Sequence, residues 1–167
     1  KILPFTNQLP RFGVHGEFAD SLKNVSYYGR GPLESYSDFK EHTTVGRYET
    51  TVDKMAHKYI KPQDSGNRTE VSYAELIDAD GNGLRFNAKC RYLNFNANPF
   101  TLGQIVKATH IEDLPDDEVT FVSADGYVRG TASGSCGPIP PKKHRVRFGY
   151  LAPLSYTFEI EPITKFT

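Results

Sequence analysis

Tryptophan is missing from the 167-residue chain, methionine occurs once and cysteine only twice. Two cysteines are too few for the disulfide framework of a small secreted protein. A single bridge between Cys90 and Cys136 is possible, but we expect two free and buried thiols. The chain also has no Cys-x-x-Cys pair and no two histidines four residues apart, so a dedicated zinc site is not expected.

A charge excess of either sign is also missing, because 20 Lys and Arg residues balance 20 Asp and Glu residues. Without a basic surplus to neutralise phosphates, a nucleic-acid partner is not expected. No apolar run approaches the roughly 20 residues of a spanning helix, so we expect a soluble chain without a membrane partner. Lys1 is not followed by a signal segment, which predicts that the natural start has been removed.

Aromatic and turn-forming residues are abundant instead, with 10 Tyr, 11 Phe, 14 Gly and 11 Pro. This mix favours many short strands, and a two-sheet sandwich lets each strand bury one face. The predicted class is therefore all-β. The predicted strands are 12–18, 25–28, 45–52, 71–76, 84–86, 119–122 with nearby Val128, 145–148 and 156–160.

Three connecting segments have clear local signals. Asp80-Gly81-Asn82-Gly83 predicts a hairpin turn, because these residues tolerate positive φ. One short helix is expected near 101–109, capped by Thr101, with an apolar face formed by Leu102, Ile105, Val106 and Thr109. Residues 29–32 and 33–42 are predicted to be loops.

Composition alone leads no further than a soluble β domain. Glycosidase chemistry needs two carboxyl groups about 5 to 10 Å apart, and sequence spacing cannot show that any two acids converge. The candidates are Glu34, Asp38, Asp53 and Asp64. We interpret the basic run Lys142-Lys143-His144-Arg145 as a solvated entry to a strand.

An ordered set of motifs closely resembles the C-terminal small-chain domain (domain 5) of the large microbial β-galactosidases of glycoside hydrolase family 2. The resemblance extends from about Leu9 to Ile160. The motifs are Leu9-Pro10-Arg11-Phe12-Gly13, Tyr28-Gly29-Arg30-Gly31-Pro32-x-Glu34-x-Tyr36-x-Asp38, Tyr59-Ile60-x-Pro62-Gln63-x-x-Gly66-Asn67-Arg68-Thr69, Phe95-Asn96-Ala97-x-Pro99-Phe100-Thr101 with Ala108-x-His110-x-x-Asp113-Leu114, and Gly130-Thr131-Ala132-Ser133-Gly134-Ser135-Cys136-Gly137-Pro138.

The resemblance implies the C-terminal part of a β super-sandwich similar to the galactose mutarotase fold, with residues 1–167 as a single domain. The family's domain continues upstream, so this part alone is expected to expose sheet edges. The family's catalytic glutamates and its Mg²⁺ and Na⁺ sites lie on a (β/α)₈ barrel. We therefore expect no catalytic residue, metal or cofactor in this chain, and no hydrolysis by the chain alone.

In the family, the whole enzyme hydrolyses terminal β-D-galactosides such as lactose with retention of configuration. The implied partners are this substrate, a catalytic barrel domain or large subunit, and further copies in a homo-oligomer. The compartment is left open, with the cytoplasm favoured.

The resemblance also implies tentative substrate-binding residues at the active-site rim. Ser135 and Cys136 belong to a late loop in which many members carry Trp, and a thiol cannot supply aromatic stacking. Asp64 and Ser65 stand where members carry Glu-Asn, followed by Gly66, which is expected to adopt a conformation that other residues avoid. Because Asp64 is one methylene shorter than Glu, its ion pair is in doubt.

The remaining motif residues are expected to be structural. Asn67 and Arg68 are predicted to hold their loop, residues 28–38 to be locked by salt bridges, and His110 to hold the end of the helix. Two other functions stay open. One is a stand-alone carbohydrate-binding sandwich with Tyr36 or Phe100 as its platform, and the other is a mutarotase-like epimerase with His110 as its base.

Overall fold

The computed structural model describes residues 8–115, 119–131, 138–149 and 153–165. These ranges contain two short helices, α1 (Val52–Met55) and α2 (Leu102–Lys107), and 3₁₀ turns at Ile111–Asp113 and Lys142–His144. The strands are β1 (Gln8–Leu9), β2 (Arg11–Phe18), β3 (Asn24–Gly31), β4 (Thr44–Thr51), β5 (Arg68–Val71), β6 (Tyr73–Ile77), β7 (Gly83–Ala88), β8 (Leu93–Asn98), β9 (Thr120–Val128), β10 (Val146–Arg147) and β11 (Phe158–Ile163).

Two antiparallel sheets make up the body of the fold. The first has five strands in the order β11-β7-β6-β3-β4, and the second has four in the order β2-β9-β8-β5. The short strands β1 and β10 pair separately, with Leu9 opposite Val146. The predicted all-β sandwich is confirmed. Strands β4, β11, β2 and β5 form the edges of the two sheets within the described ranges.

The core lies between the two sheets, where aromatic rings from both meet. The Phe86 ring of β7 lies 5.6 Å from Phe95 of β8 and 6.0 Å from Phe18 of β2, measured between ring centroids. Buried aliphatic residues surround them, and burying each valine or leucine side chain among them contributes about 1.5–3 kcal/mol. These residues include Val25, Val71, Ala74, Leu76, Leu93, Ala97, Val122 and Ala124.

The predicted strand 71–76 is in fact divided between the two sheets. β5 ends at Val71 and pairs with β8, whereas β6 begins at Tyr73 and pairs with β3 and β7. The alternation breaks inside this stretch, where Tyr73 and Ala74 are adjacent apolar residues, but such a break does not show which distant strands pair. The crossing places β5 and its preceding loop on the opposite sheet from the hairpin.

The prediction that a loop begins at residue 29 was wrong, because β3 continues through Gly31, which pairs with Thr44. Glycine is required inside this strand by a close approach between the sheets. A Cβ atom added at Gly29 would lie 2.7 Å from Cγ2 of Val71. The glycine therefore lets β3 pack directly against β5.

The predicted hairpin is confirmed, with Ile77 opposite Gly83. Gly81 has φ of 86°, as the turn requires. The carboxylate of Asp78 accepts hydrogen bonds of 2.9 Å from the backbone N–H groups of Asp80 and Asn82. These bonds fix the register of β6 against β7.

The predicted helix is confirmed but is only six residues long. Thr101 caps it, because its Oγ1 accepts from the N–H of Gln104 at 3.2 Å while Gln104 Oε1 accepts from the N–H of Thr101 at 2.7 Å. Ile105 is buried, but Val106 is 82% exposed, so the predicted apolar face was too wide. With so few turns, the helix contributes little to the core.

Three strand bounds also differ from the prediction, because β9 is longer and β10 and β11 begin later than expected. Cys90 is a free thiol but is exposed, so its predicted burial was wrong. It lies in the short connection between β7 and β8, which faces solvent. Cys136 lies outside the described residues. No helix in the described ranges combines the length and hydrophobicity needed to span a bilayer.

Candidate rim pocket

Four of the five motif segments meet around one cavity of about 450 Å³, which we call the rim pocket. Its lining residues are Pro10, Arg11, Glu34, Tyr36, Phe39, Tyr59, Gln63, Asp64, Val128, Arg129, Gly130 and Thr131. Segments separated by more than a hundred positions thus share one cavity. Its volume falls within the range of small-ligand sites.

Glu34 holds one wall of the rim pocket together. Its Oε2 accepts the backbone N–H of Gly66 at 2.8 Å, and its Oε1 accepts the hydroxyl of Tyr59 at 3.2 Å. The hydroxyl of Tyr36 also donates to Oε2, at 3.4 Å. Both carboxylate oxygens are therefore engaged by neighbouring donors.

The expected special conformation of Gly66 is confirmed, with φ of 87°. A Cβ atom at this position would lie 2.5 Å from the carbonyl oxygen of Met55. Both the backbone angle and the lack of space therefore require glycine. This geometry turns the chain so that its N–H points at Glu34.

Asp64 lines the pocket and forms an ion pair with Arg11 across it. The shorter side chain therefore still reaches a cationic partner in this chain. Burial raises the pKa of Asp64 above its usual value, the positive charge of Arg11 lowers it, and the nearby charge of Glu34 raises it again. Because burial has the largest of these effects, the Asp64 carboxyl is easier to protonate than that of an exposed aspartate.

Arg11 also faces a second carboxyl group, on Asp125 of β9. Its Nη1 lies 3.4 Å from Oδ2 of Asp125, a side chain that is only 1% exposed. Neither Asp125 oxygen accepts a hydrogen bond from the described residues. Burial raises the pKa of Asp125 to about 6, partly offset by Arg11 and reinforced by Asp64. One guanidinium thus serves two carboxyl groups.

Two tyrosines supply hydroxyl donors and ring surface to the rim pocket. Burial, together with the charge of Glu34, raises the pKa of Tyr36 far above its ordinary value and raises that of Tyr59 as well. Both hydroxyls therefore stay protonated at neutral pH. A tyrosine presents an apolar ring and a polar tip, a combination suited to a polyhydroxylated ligand.

Ser65 is not part of the pocket lining, although its neighbour Asp64 is. It is buried, and its Oγ accepts the backbone N–H of His57 at 3.1 Å and donates to the carbonyl of His57 at 3.3 Å. Its own carbonyl accepts from Nδ2 of Asn96 at 2.8 Å. Ser65 therefore fixes the backbone that carries Asp64 and Gly66.

Asn67 and Arg68 hold the same loop from the other side, as predicted. Nδ2 of Asn67 donates to the carbonyl of Ser35 at 2.7 Å, and the backbone N–H of Ser35 donates back to the carbonyl of Asn67 at 2.7 Å. Nε of Arg68 donates to the hydroxyl of Tyr27 at 3.0 Å, and Nη1 donates to the carbonyl of Gly66 at 2.9 Å. Both residues are buried.

Asp38 connects the second motif to the start of the late loop. Its Oδ1 accepts the backbone N–H of Thr131 at 2.9 Å, and a Cβ atom on Gly130 would overlap its carboxylate. Thr131 lines the pocket. The late-loop candidates Ser135 and Cys136 lie outside the described residues, so the structure places only the base of that loop at the pocket.

Other predicted residues lie away from the pocket. Arg30 pairs with Glu70 at 2.7 Å, which is one of the salt bridges expected in its motif. His110 is exposed and Phe100 is half-buried, and neither lines the rim pocket. The turn after α2 is held by Asp113, whose Oδ2 accepts the backbone N–H groups of Thr109 and His110 at 2.8 Å.

Sequence reasoning missed Arg11, Tyr59 and Asp125 as site residues. Arg11 and Tyr59 stand inside the quoted motifs, and their polarity was a usable signal. Asp125 interrupts an apolar strand with a charge, a pattern that indicates a buried functional or paired group. Among the described residues, no three His, Cys, Asp or Glu side chains converge as a metal site.

The fold and the pocket define an all-β sandwich with a polar, tyrosine-lined cavity at the junction of its motif loops. A family model described as the small chain of β-galactosidase matches residues 1–160. The chain therefore belongs to the β-galactosidase small-chain family.

Individual β-galactosidases show the same similarity. The enzyme from Lactobacillus delbrueckii subsp. bulgaricus is 39% identical over 116 residues, which are 70% of this chain and 11% of the relative. The Streptococcus thermophilus enzyme is 35% identical over 113 residues, covering 68% of this chain and 11% of the relative. The Staphylococcus xylosus enzyme is 31% identical over 130 residues, covering 78% of this chain and 13% of the relative. The chain thus spans a small fraction of the length of these relatives.

Proposed function

We propose that this chain is a non-catalytic sandwich segment that completes the active-site rim of a β-galactosidase of glycoside hydrolase family 2. The whole enzyme would hydrolyse terminal β-D-galactosides, lactose among them, with retention. The observation that carries the proposal is the convergence of the motif segments on the rim pocket. Family motifs that are distant in sequence and meet at one cavity are best explained by a shared ligand-facing role.

The bonding of the pocket acids supports a role without catalysis. Both oxygens of Glu34 accept hydrogen bonds from neighbouring groups, and Asp64 pairs with Arg11. A retaining glycosidase needs one free carboxylate as nucleophile and one carboxylic acid as proton donor. Acids engaged in this way instead position the 59–68 loop. The catalytic acids, with Mg²⁺ and Na⁺, would lie on a barrel elsewhere in the enzyme.

The chemistry of the pocket suits one edge of a sugar. Carboxylate oxygens and tyrosine hydroxyls can exchange hydrogen bonds with sugar hydroxyls, while tyrosine rings cover the apolar face. Asp64 is the best-placed hydrogen-bond acceptor for a sugar hydroxyl, because it lines the pocket. Its ion pair with Arg11 is also more exposed to solvent than the pair of Arg11 with Asp125. Gly66 and Ser65 would act by shaping the backbone, and Ser135 and Cys136 by extending the rim.

The remaining partners are also proposals. A barrel domain or large subunit would face the pocket, and copies of the enzyme would form a homo-oligomer in the cytoplasm. A stand-alone sugar-binding sandwich is the alternative, and the position of Tyr36 in the pocket favours it over an epimerase. No described histidine lines the rim pocket, so the pocket offers no imidazole base.

Steady-state kinetics of the full-length protein that carries this chain test the proposal. We expect Asp64→Ala and Tyr59→Phe to raise KM for lactose by about three- to tenfold, with kcat within about threefold, because one or two hydrogen bonds are lost. Asp80→Ala, in the exposed hairpin turn, is the matched control and should leave both constants unchanged. Unchanged KM in both pocket variants, or turnover by the isolated chain, contradicts the proposal.

A further inference from the structure

A second cleft, of about 820 Å³, is not used by the proposed function. Its walls come from residues 37–40, from the 88–94 segment that joins β7 to β8, from the end of β9 and from residues 143–147. Val128 lines both this cleft and the rim pocket. We propose that this second cleft, here called the basic cleft, binds a multivalent oxyanion of the phosphate type.

The charge of the lining is strongly one-sided. Six cationic side chains line the basic cleft against a single carboxylate, that of Glu70, although the chain as a whole is neutral. The cations are Lys40, Lys89, Arg91, Lys143, Arg145 and Arg147. A cleft lined by one sign of charge focuses the electric field and raises the local concentration of the opposite ion.

Four of these six cations have no counter-charge among the described residues. Arg91, Lys143, Arg145 and Arg147 form no ion pair with any carboxylate in the described ranges. Glu70 does not compensate them, because Arg30 and Lys40 already hold it. Like charges repel more strongly in a cleft than in bulk water. A bound anion would relieve this repulsion.

Arg91 is already oriented for binding. Its guanidinium carbon lies 4.0 Å from the centroid of the Tyr127 ring. The ring is itself fixed, because the Tyr127 hydroxyl donates to the carbonyl of Ser155 at 3.1 Å. Stacking covers the face of the guanidinium but leaves its edge N–H donors available, and that edge matches two oxygens of a phosphate.

Two other lining residues, Ser37 and Glu70, offer further signs of a ligand. Oγ of Ser37 is shielded from solvent and has no hydrogen-bond partner among the described residues. Glu70 has φ of 57° at a bulge in β5, a strained conformation for a residue other than glycine. Bulges and strained residues concentrate at functional sites. Guanidinium, ammonium and hydroxyl donors in one cleft fit a tetrahedral oxyanion, which accepts several hydrogen bonds, better than they fit a ligand with a single carboxylate.

Cys90 provides a site-specific reporter, because it is free, exposed and part of the lining. The probe is inorganic pyrophosphate, added to the full-length protein at constant ionic strength and without divalent cations. The readout is the rate of Cys90 alkylation by neutral iodoacetamide, measured by peptide mass spectrometry. We expect pyrophosphate to slow this rate saturably. No protection up to about 50 mM overturns the proposal.

Matched arginine variants locate the effect. Arg91→Gln should raise the half-protecting concentration by about tenfold, the loss expected for a charged hydrogen bond. The control is Arg47→Gln, which also removes a guanidinium over a tyrosine ring, at 5.8 Å from the centroid of Tyr73, but outside the cleft. Arg47→Gln should change the half-protecting concentration of pyrophosphate less than twofold. Equal effects of the two variants would mean that pyrophosphate is attracted by positive charge anywhere on the surface rather than bound at Arg91. That result would overturn the proposal.

A short polyglutamate peptide distinguishes the source of the negative charge. If this peptide protects Cys90 at the same or lower concentrations than pyrophosphate does, the cleft is a docking surface for an acidic polypeptide and the phosphate proposal is wrong. Weaker protection by the peptide than by pyrophosphate supports the proposal. Because the readout is thiol protection rather than hydrolysis, its failure is independent of the proposed galactosidase function.

Discussion

The guanidinium of Arg11 lies 3.4 Å from the buried carboxyl group of Asp125. The same guanidinium pairs with Asp64 at the rim pocket, so a residue in the core strand β9 is connected to the pocket through one side chain. A close approach of the backbone permits this arrangement, because a Cβ atom on Gly13 would overlap Asp125. The electrostatics of the pocket therefore depend on a group that a ligand does not touch.

Asp125 should make stability depend on pH. Its pKa is about 6 in the folded chain against an ordinary value of 3.8, so the folded state holds the proton more tightly than the unfolded state. Stability should therefore fall as pH rises from about 4 to 6, by up to about 3 kcal/mol from this residue. Asp125→Asn should remove most of that slope. Urea unfolding at several pH values measures it, and an unchanged slope in the variant contradicts the assignment.

Gly66→Ala should destabilise the fold by about 1–3 kcal/mol, because alanine disfavours φ of 87° and its Cβ would press on the Met55 carbonyl. The control is Gly103→Ala in α2, where a Cβ atom would come no closer than 3.9 Å, to Thr101 Oγ1. Alanine favours a helix, so the control should be neutral or slightly stabilising. Equal unfolding midpoints for the two variants would count against the Gly66 geometry.

Glu34→Gln should loosen the loop from Tyr59 to Gly66, because a charged acceptor of three hydrogen bonds becomes a neutral amide. The expected loss of stability is about 1–3 kcal/mol. Amide hydrogen exchange of Gly66 should accelerate in the variant. Glu17→Gln, on the exposed side of β2, serves as the control and should leave exchange at Gly66 unchanged.

Thr101→Ala should fray α2, because the reciprocal bonds with Gln104 are lost. The expected cost is about 1 kcal/mol, with faster amide exchange confined to the helix. Thr101→Ser, which keeps the hydroxyl, should restore slow exchange. If the serine variant exchanges as fast as the alanine variant, the cap does not hold the helix.

Local chemistry made part of the fold predictable. The hairpin at Asp80 to Gly83 and the cap at Thr101 follow from neighbouring residues, and both were confirmed. The division of residues 71–76 between two sheets was not predictable, because it depends on which distant strands pair. The exposed position of Cys90 likewise depends on the placement of its connection rather than on residue type.

The candidate site was predictable only in part. Asp64 and Gly66 followed from the resemblance, and the structure places them at or beside the rim pocket. The role of Asp125 could not be found in this way, because its contact with Arg11 joins positions 114 residues apart, a separation that no sequence pattern encodes. Three-dimensional pairing was needed to connect them.

Hydrogen exchange of the full-length protein, with and without a saturating β-galactoside, tests the central claim most directly. A role at the rim predicts slower amide exchange across residues 59–68 when the sugar is bound, because Tyr59, Gln63 and Asp64 line the pocket. The 78–82 hairpin turn, which lies outside the pocket, should exchange at the same rate in both states. Unchanged exchange at residues 59–68 under conditions in which the sugar demonstrably binds would contradict a role at the rim.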